Sequence, residues 1–333
     1  MPPSIDSRAL DLPPFRPRFP WLNADLQTVA VLLGAPPPDL SPHRSERLCF
    51  CLGDASGDIL LAMLDRPAEP EAGRPLVVLV HGLTGCETSP NILSGARHLL
   101  GRGYPVLRLN LRGCGASRPY CHEHYHIGRT ADLRQVLWQL PEELARDGIV
   151  VVGYSMGGAM LLKMLGEDGS FSPLRAAATI CAPLDLKSTG LHMMRPRNWL
   201  YHAYVLNGLK KETLAEGGRL IEAERDAVRR ARTIHDFDER FIAPRYGFRD
   251  ADDYYDLCNP LPFLPEIRVP TMVLAAADDP WIPAESYRDP DWGANPWLVP
   301  VITEGGGHLG FHCASTDGPW CDLALEKFLA RLG

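Results

Sequence analysis

Ile149-Val150-Val151-Val152-Gly153-Tyr154-Ser155-Met156-Gly157, followed by Gly158-Ala159-Met160-Leu161-Leu162-Lys163-Met164-Leu165, decides how this chain is read. Four β-branched residues run into Gly-x-Ser-x-Gly, and an apolar helix-like run leaves it. That is a strand–turn–helix setting in which a serine sits on a tight, strained turn with its hydroxyl exposed at the end of a sheet, a nucleophile elbow. A Cβ at either flanking glycine would crowd such a turn. The segment points to Ser155 as a nucleophile and to acyl-transfer chemistry.

Leu76–Val80 is a continuous apolar run, as expected of a strand covered on both sheet faces. Residues 46–52 and 58–64 read as a hairpin around Gly53-Asp54-Ala55-Ser56-Gly57. Residues 106–110, 176–181, 271–276 and 298–302 read as further strands, and Pro300 predicts an edge position for the last. Residues 91–101, 130–146 and 320–332 read as helices, and Asn23 is a candidate N-cap in the proline-rich stretch 1–45. Strands alternating with helices imply an α/β fold with a mostly parallel sheet, helices on both faces. Residues 183–265 break that alternation with charge-rich helical sequence such as Lys210-Lys211-Glu212-Thr213-Leu214-Ala215-Glu216. They read as an insertion, with a solvated outer face, that caps the site. The core is then expected from residues 1–182 and 266–333.

A nucleophilic serine needs a base, and the base needs an orienting acid. Behind an elbow of this type they follow in chain order serine, acid, histidine, after later strands. Strand 271–276 leads into Ala277-Asp278-Asp279-Pro280-Trp281-Ile282-Pro283, and strand 298–302 into Thr303-Glu304-Gly305-Gly306-Gly307-His308. His308 is the expected base. Asp279, four residues before Pro283, is favoured as the acid over Asp278, which could instead cap the turn. Oxyanion stabilisation needs two backbone N–H groups, expected from Met156 and from Leu83 in the loop His81-Gly82-Leu83-Thr84-Gly85. Met193, Met194, Trp199 and Leu200 are apolar enough to line an acyl pocket or to be buried between cap and core. No metal or organic cofactor is needed for this chemistry.

The histidine-rich Cys121-His122-Glu123-His124-Tyr125-His126 has no partner pair at zinc spacing and is expected to be a surface loop. The nine cysteines show no Cys-x-x-Cys pair and are expected as packed, reduced thiols, Cys49 and Cys51 included. Net charge is −7, from 34 basic and 41 acidic residues, with no basic block, which excludes a nucleic-acid binder. Met1–Asp6 show no charged region followed by an apolar one, and no apolar run approaches the roughly 20 residues of a membrane helix. A soluble cytoplasmic protein acting on a small molecule is expected.

Together, the elbow, the His-Gly loop, the late aspartate and the glycine-flanked histidine resemble the α/β-hydrolase superfamily. Pro20-Trp21-Leu22-Asn23-Ala24-Asp25-Leu26-Gln27-Thr28, Asn110-Leu111-Arg112-Gly113-Cys114-Gly115 and Tyr125-His126-Ile127-Gly128-Arg129 look like the YheT-like branch. So do Phe237-Asp238 through Ala243-Pro244, Tyr246-Gly247-Phe248 and Asp253-Tyr254-Tyr255. The resemblance implies an eight-stranded sheet of the α/β-hydrolase fold, an inserted helical cap and carboxylic-ester hydrolysis. An acyltransferase using the same residues, or a ligand-binding protein with little turnover, are the alternatives. Dehalogenase and epoxide chemistry are disfavoured, because those relatives place an aspartate where Ser155 stands.

Overall fold

Eight strands form one sheet in the computed structural model, which describes residues 10–33 and 38–332. Met1–Asp6, and with them the expectation about a secretory leader, lie outside the described residues. The strands are β1 (Arg44–Cys51), β2 (Ile59–Arg66), β3 (Leu76–Val80), β4 (Val106–Leu109), β5 (Ile149–Tyr154), β6 (Ala176–Ile180), β7 (Thr271–Ala276) and β8 (Leu298–Thr303). Their order is β1-β2-β4-β3-β5-β6-β7-β8. β2 pairs antiparallel with β1 and β4, and the other five pairings are parallel. Every residue of β3, β5, β6 and β7 is buried, which is why these segments read as unbroken apolar runs. Pro300 stands in β8, the edge strand, where its missing N–H breaks no ladder on the outer side.

The helices before the sixth strand are α1 (Ala24–Leu33), α2 (Pro90–Leu100), α3 (Thr130–Trp138), α4 (Glu142–Ala145) and α5 (Met156–Asp168). Asn23 Oδ1 accepts the Leu26 N–H at 2.9 Å and caps α1 as the sequence suggests. The expected single helix over 130–146 is instead α3 and α4. Pro141 separates them, because its ring disfavours helical backbone at Leu140 and it has no N–H to donate. α2 packs against α13 (Trp320–Leu329), and α3 against α5, so both sheet faces are covered.

Between β6 and β7 stand α6 (Leu186–Met193), α7 (Trp199–Leu214), α8 (Glu222–Arg230), α9 (Ile234–Phe237), α10 (Ala243–Tyr246) and α11 (Ala251–Cys258). A turn of π-helix, Asp238–Ile242, joins α9 to α10. α12 (Glu285–Arg288) lies between β7 and β8. α5 is buried on all sides from Met156 to Gly166 because the segment Leu261–Glu266 crosses it. A Cβ on Gly166 would stand 2.5 Å from the Phe263 backbone.

Six of the nine cysteines are buried and all nine are free thiols. Cys49 and Cys51 depart from the expectation: both are exposed, while Phe50 between them is buried. In an edge strand covered on one side, alternation sends only one of the two residue sets inward. Arg112, fully buried, donates to Asp132, Asp58 and Asp54 at 2.7–3.0 Å and ties the β1–β2 turn to α3. Among the described residues no helix is long and apolar enough to cross a membrane.

Candidate active site

Parallel strands end on the same edge of a sheet, and ligands of open α/β sheets bind outside those carboxyl ends. The loops after β3, β5, β7 and β8 all leave from this edge and carry His81, Ser155, Asp279 and His308. At the end of β5, Ser155 adopts φ 51° and ψ −121°, a strained backbone for a residue with a Cβ. A Cβ on Gly157 would lie 2.5 Å from the His81 carbonyl oxygen, and one on Gly153 equally close to that of Gly157. Glycine at both places is therefore a packing requirement. The Ser155 N–H donates to the Ile180 carbonyl at 2.8 Å, which anchors the turn to β6.

His308 arrives from β8 through Gly306 and Gly307, both at positive φ. Its Nε2 lies 3.0 Å from Ser155 Oγ and its Nδ1 lies 2.7 Å from Asp279 Oδ2. All three residues are buried. Asp279 Oδ1 accepts the N–H groups of Trp281 at 2.8 Å and Ile282 at 3.2 Å, so both carboxyl oxygens are engaged. The Trp281 ring stacks on the imidazole, with centroids 4.2 Å apart and planes 17° from parallel. Asp278 goes elsewhere: its Oδ1 accepts the Gly307 N–H at 2.8 Å, and burial pushes its carboxyl up.

Four contributors were not legible as site residues. Thr28, on α1, accepts the His308 N–H with its hydroxyl at 2.9 Å. Trp281 covers His308 from one side. Cys181 is the third, and its thiol is pushed well up by burial beside Asp279. Cys181, Asp279 and His308 form the only group of three potential metal donors among the described residues. His81 is the fourth; its Nε2 accepts the Leu111 N–H at 3.1 Å, so Nδ1 carries the proton and donates to Gly82 O at 2.8 Å. Burial lowers His81 to about 4 and keeps it neutral. It braces the loop that presents Leu83.

A cavity of about 130 Å³ opens on Ser155 and His308. Leu83 and Met156 line it, and Met156, as the first residue of α5, has an N–H with no intrahelical acceptor. Met193 lines it as well; Met194, Trp199 and Leu200 do not. Trp199 and Leu200 are 64% and 63% exposed, the reverse of both expectations for them. They lie on the first turn of α7, whose inward stripe is instead Val205, Leu209, Glu212 and Thr213. Glu212 sits in a segment that reads as solvated, yet i, i+4 spacing from Val205 through Leu209 to Thr213 already marks this as the buried side. Burial raises the Glu212 carboxyl to about 7.

The stretch from Cys121 to His126 is not a surface loop. Cys121, His124 and Tyr125 are buried, and His124, Tyr125 and His126 line the cavity. The segment is wedged between core and insertion: the His126 ring packs on Tyr246, Phe248 and Tyr254 with centroids 4.6–5.8 Å apart. Burial lowers both His124 and His126 to about 3, so they are neutral. Its polar composition concealed this, because a sequence does not show which later segment will cover it.

Residues 75–313 match the family described as alpha/beta hydrolase fold. YheT of Escherichia coli, provisionally named an esterase, is 31% identical over 89% of this chain and 86% of its own length. Human phospholipase ABHD3 is 30% identical over 72% of this chain; the match spans only 59% of that protein. A yeast protein named medium-chain fatty acid ethyl ester synthase/esterase 2 is 29% identical over 78% of this chain and 63% of its own. The esterase Pf2001 of Pyrococcus furiosus superposes with a TM-score of 0.58 over 90% of this chain and 98% of that one, at 15% identity, and so shares the fold. The sheet, the elbow and these relatives lead to one conclusion: the chain belongs to the α/β-hydrolase family, in its YheT-like branch.

Proposed function

We propose that this protein is a serine hydrolase that cleaves carboxylic esters through an acyl-enzyme. The observation that carries the reading is the buried chain from Asp279 through His308 to Ser155, with contacts of 2.7 and 3.0 Å. Asp279 accepts a hydrogen bond from the Nδ1–H of His308, which leaves Nε2 as the base. Ser155 Oγ attacks the ester carbonyl as its proton passes to Nε2. The Leu83 and Met156 N–H groups receive the developing oxyanion; one such donor is typically worth about 2.7–4 kcal/mol. The imidazolium then protonates the departing alkoxide. Water, deprotonated by His308, releases the acyl group and restores Ser155. Residues 183–265 act as the cap, since most of the cavity wall comes from them. A cytoplasmic setting accords with nine free thiols.

The test is turnover of para-nitrophenyl acetate by the wild type and by Ser155→Ala. A loss of at least about 1,000-fold is expected, as for removal of an activated nucleophile, together with fluorophosphonate labelling confined to Ser155. Equal rates in the two proteins would overturn the assignment. Acyl transfer to an alcohol is the second reading, suggested by the name of the yeast relative. Ester products formed in the presence of ethanol would reveal it.

A further inference from the structure

One carboxyl group stands in the wall of the cavity without a part in ester cleavage. Asp238 opens the π-helical turn of the insertion and is 8% exposed. It lines the same cavity as Ser155 and His308, beside the aromatic side chains of Phe237, Phe241 and Tyr255. Its Oδ2 accepts the Tyr255 hydroxyl at 2.7 Å, and that is its only side-chain partner among the described residues. No cation pairs with it there. Burying a carboxyl without a cation costs several kcal/mol when it ionises, and burial raises this one to about 7. A hydrogen bond to Tyr255 alone would be served as well by an amide. π-turns insert a residue into a helix and re-aim its side chains, often at functional sites.

Glu212, the other cavity carboxyl, is occupied by the Tyr125 hydroxyl at 3.1 Å and sits beside the charge of Arg118. Asp238 likewise has one oxygen, Oδ1, without a side-chain donor, but unlike Glu212 it has no cation beside it among the described residues. We propose that Asp238, oriented by Tyr255, is a specificity residue that hydrogen-bonds a hydroxyl on the acyl chain, so that hydroxyacyl esters are preferred over plain alkanoyl esters. The inference rests on the ester-hydrolase reading. A hydroxyl both donates and accepts, and so matches the carboxyl in either protonation state. An ammonium group would require the ionised form, which burial opposes. The apolar side chains around Asp238 take the methylene chain.

The experiment compares kcat/KM for para-nitrophenyl esters of six to twelve carbons with their ω-hydroxy counterparts. The ratio of hydroxy to plain ester within one protein is independent of how much of it is folded. In the wild type the ratio should exceed about 10 at one chain length, since sites built to bind a hydroxyl reject analogues that lack it. Asp238→Leu should lower that ratio at least about tenfold, and Tyr255→Phe should lower it less. A wild-type ratio near one at every length overturns the inference without the help of any variant. So does a ratio that Asp238→Leu leaves in place, or a preference for ω-trimethylammonio esters. Turnover of the acetate ester in the same protein keeps the outcomes apart. If it is absent, the hydrolase reading fails; if it is present without a hydroxyl preference, only the role of Asp238 fails.

Discussion

The Thr28 hydroxyl accepts the backbone N–H of His308 at 2.9 Å while donating to the Ala24 carbonyl at 2.7 Å. A residue 280 positions upstream thus sets the height of the imidazole over Ser155. Gly307 lies against the same turn of α1, where a Cβ would stand 2.5 Å from Ala24 O. Thr28→Val keeps the shape and removes the acceptor. A net hydrogen bond is worth about 1 kcal/mol, so kcat is expected to fall about five- to tenfold with KM little changed. Steady-state kinetics decide this; a change confined to KM would show that Thr28 does not position His308.

The two adjacent aspartates make a sharper test. Asp279→Asn removes the charge that faces His308 Nδ1 and favours the wrong tautomer, which in an analogous triad costs on the order of 10⁴ in kcat. Asp278→Asn retains a carbonyl oxygen for the Gly307 N–H and should cost less than about tenfold. Comparable losses in the two variants would contradict the assignment of Asp279.

The loop after β3 is held from the insertion. The Thr84 N–H donates to the Tyr125 hydroxyl at 2.9 Å, and that hydroxyl donates to Glu212 on α7 at 3.1 Å. Thr84 adopts φ 56° immediately after Leu83, so this backbone is strained and needs the partner. Tyr125→Phe should lower kcat about tenfold through the misplaced Leu83 N–H, with KM nearly constant. Glu212→Gln, which still offers an oxygen to Tyr125, should retain most of the activity.

Asp238 also makes a prediction about pH. Its carboxyl titrates near 3.8 in the unfolded chain and at about 7 in the folded protein. The folded state therefore holds the proton longer, and stability is lost as pH rises from about 4 through 7. Asp238→Asn never ionises. Its melting temperature relative to the wild type should rise over that interval and level off above it. At 1.36 kcal/mol per pH unit the ceiling is roughly 4 kcal/mol. A difference that does not change between pH 5 and pH 8 would mean that Asp238 is not buried as a lone acid.

Much of this was legible along the chain. The elbow, the order Ser155, Asp279, His308 and the strand runs are local patterns, because a fully buried strand must be apolar and a tight turn must have glycine. Even the edge position of β8 followed from one proline. What eluded reading was covered or exposed by partners far away in sequence. Cys121–His126 is polar and looks like surface until Tyr246, Phe248 and Tyr254 close over it. Trp199 and Leu200 look like pocket residues, but the rotation of α7 gives the cavity Leu209 and Glu212.

The strand runs, the turn that strains Ser155 and the types of residue that could act with it are written along the chain. Those depend on interactions within a few residues of one another. The folded chain added that Asp278 turns to the Gly307 N–H and away from His308, that Thr28 sets the height of the imidazole, and that a lone carboxyl faces the cavity. Each of these depends on where distant backbones cross, and on which polar groups are left without water when they do.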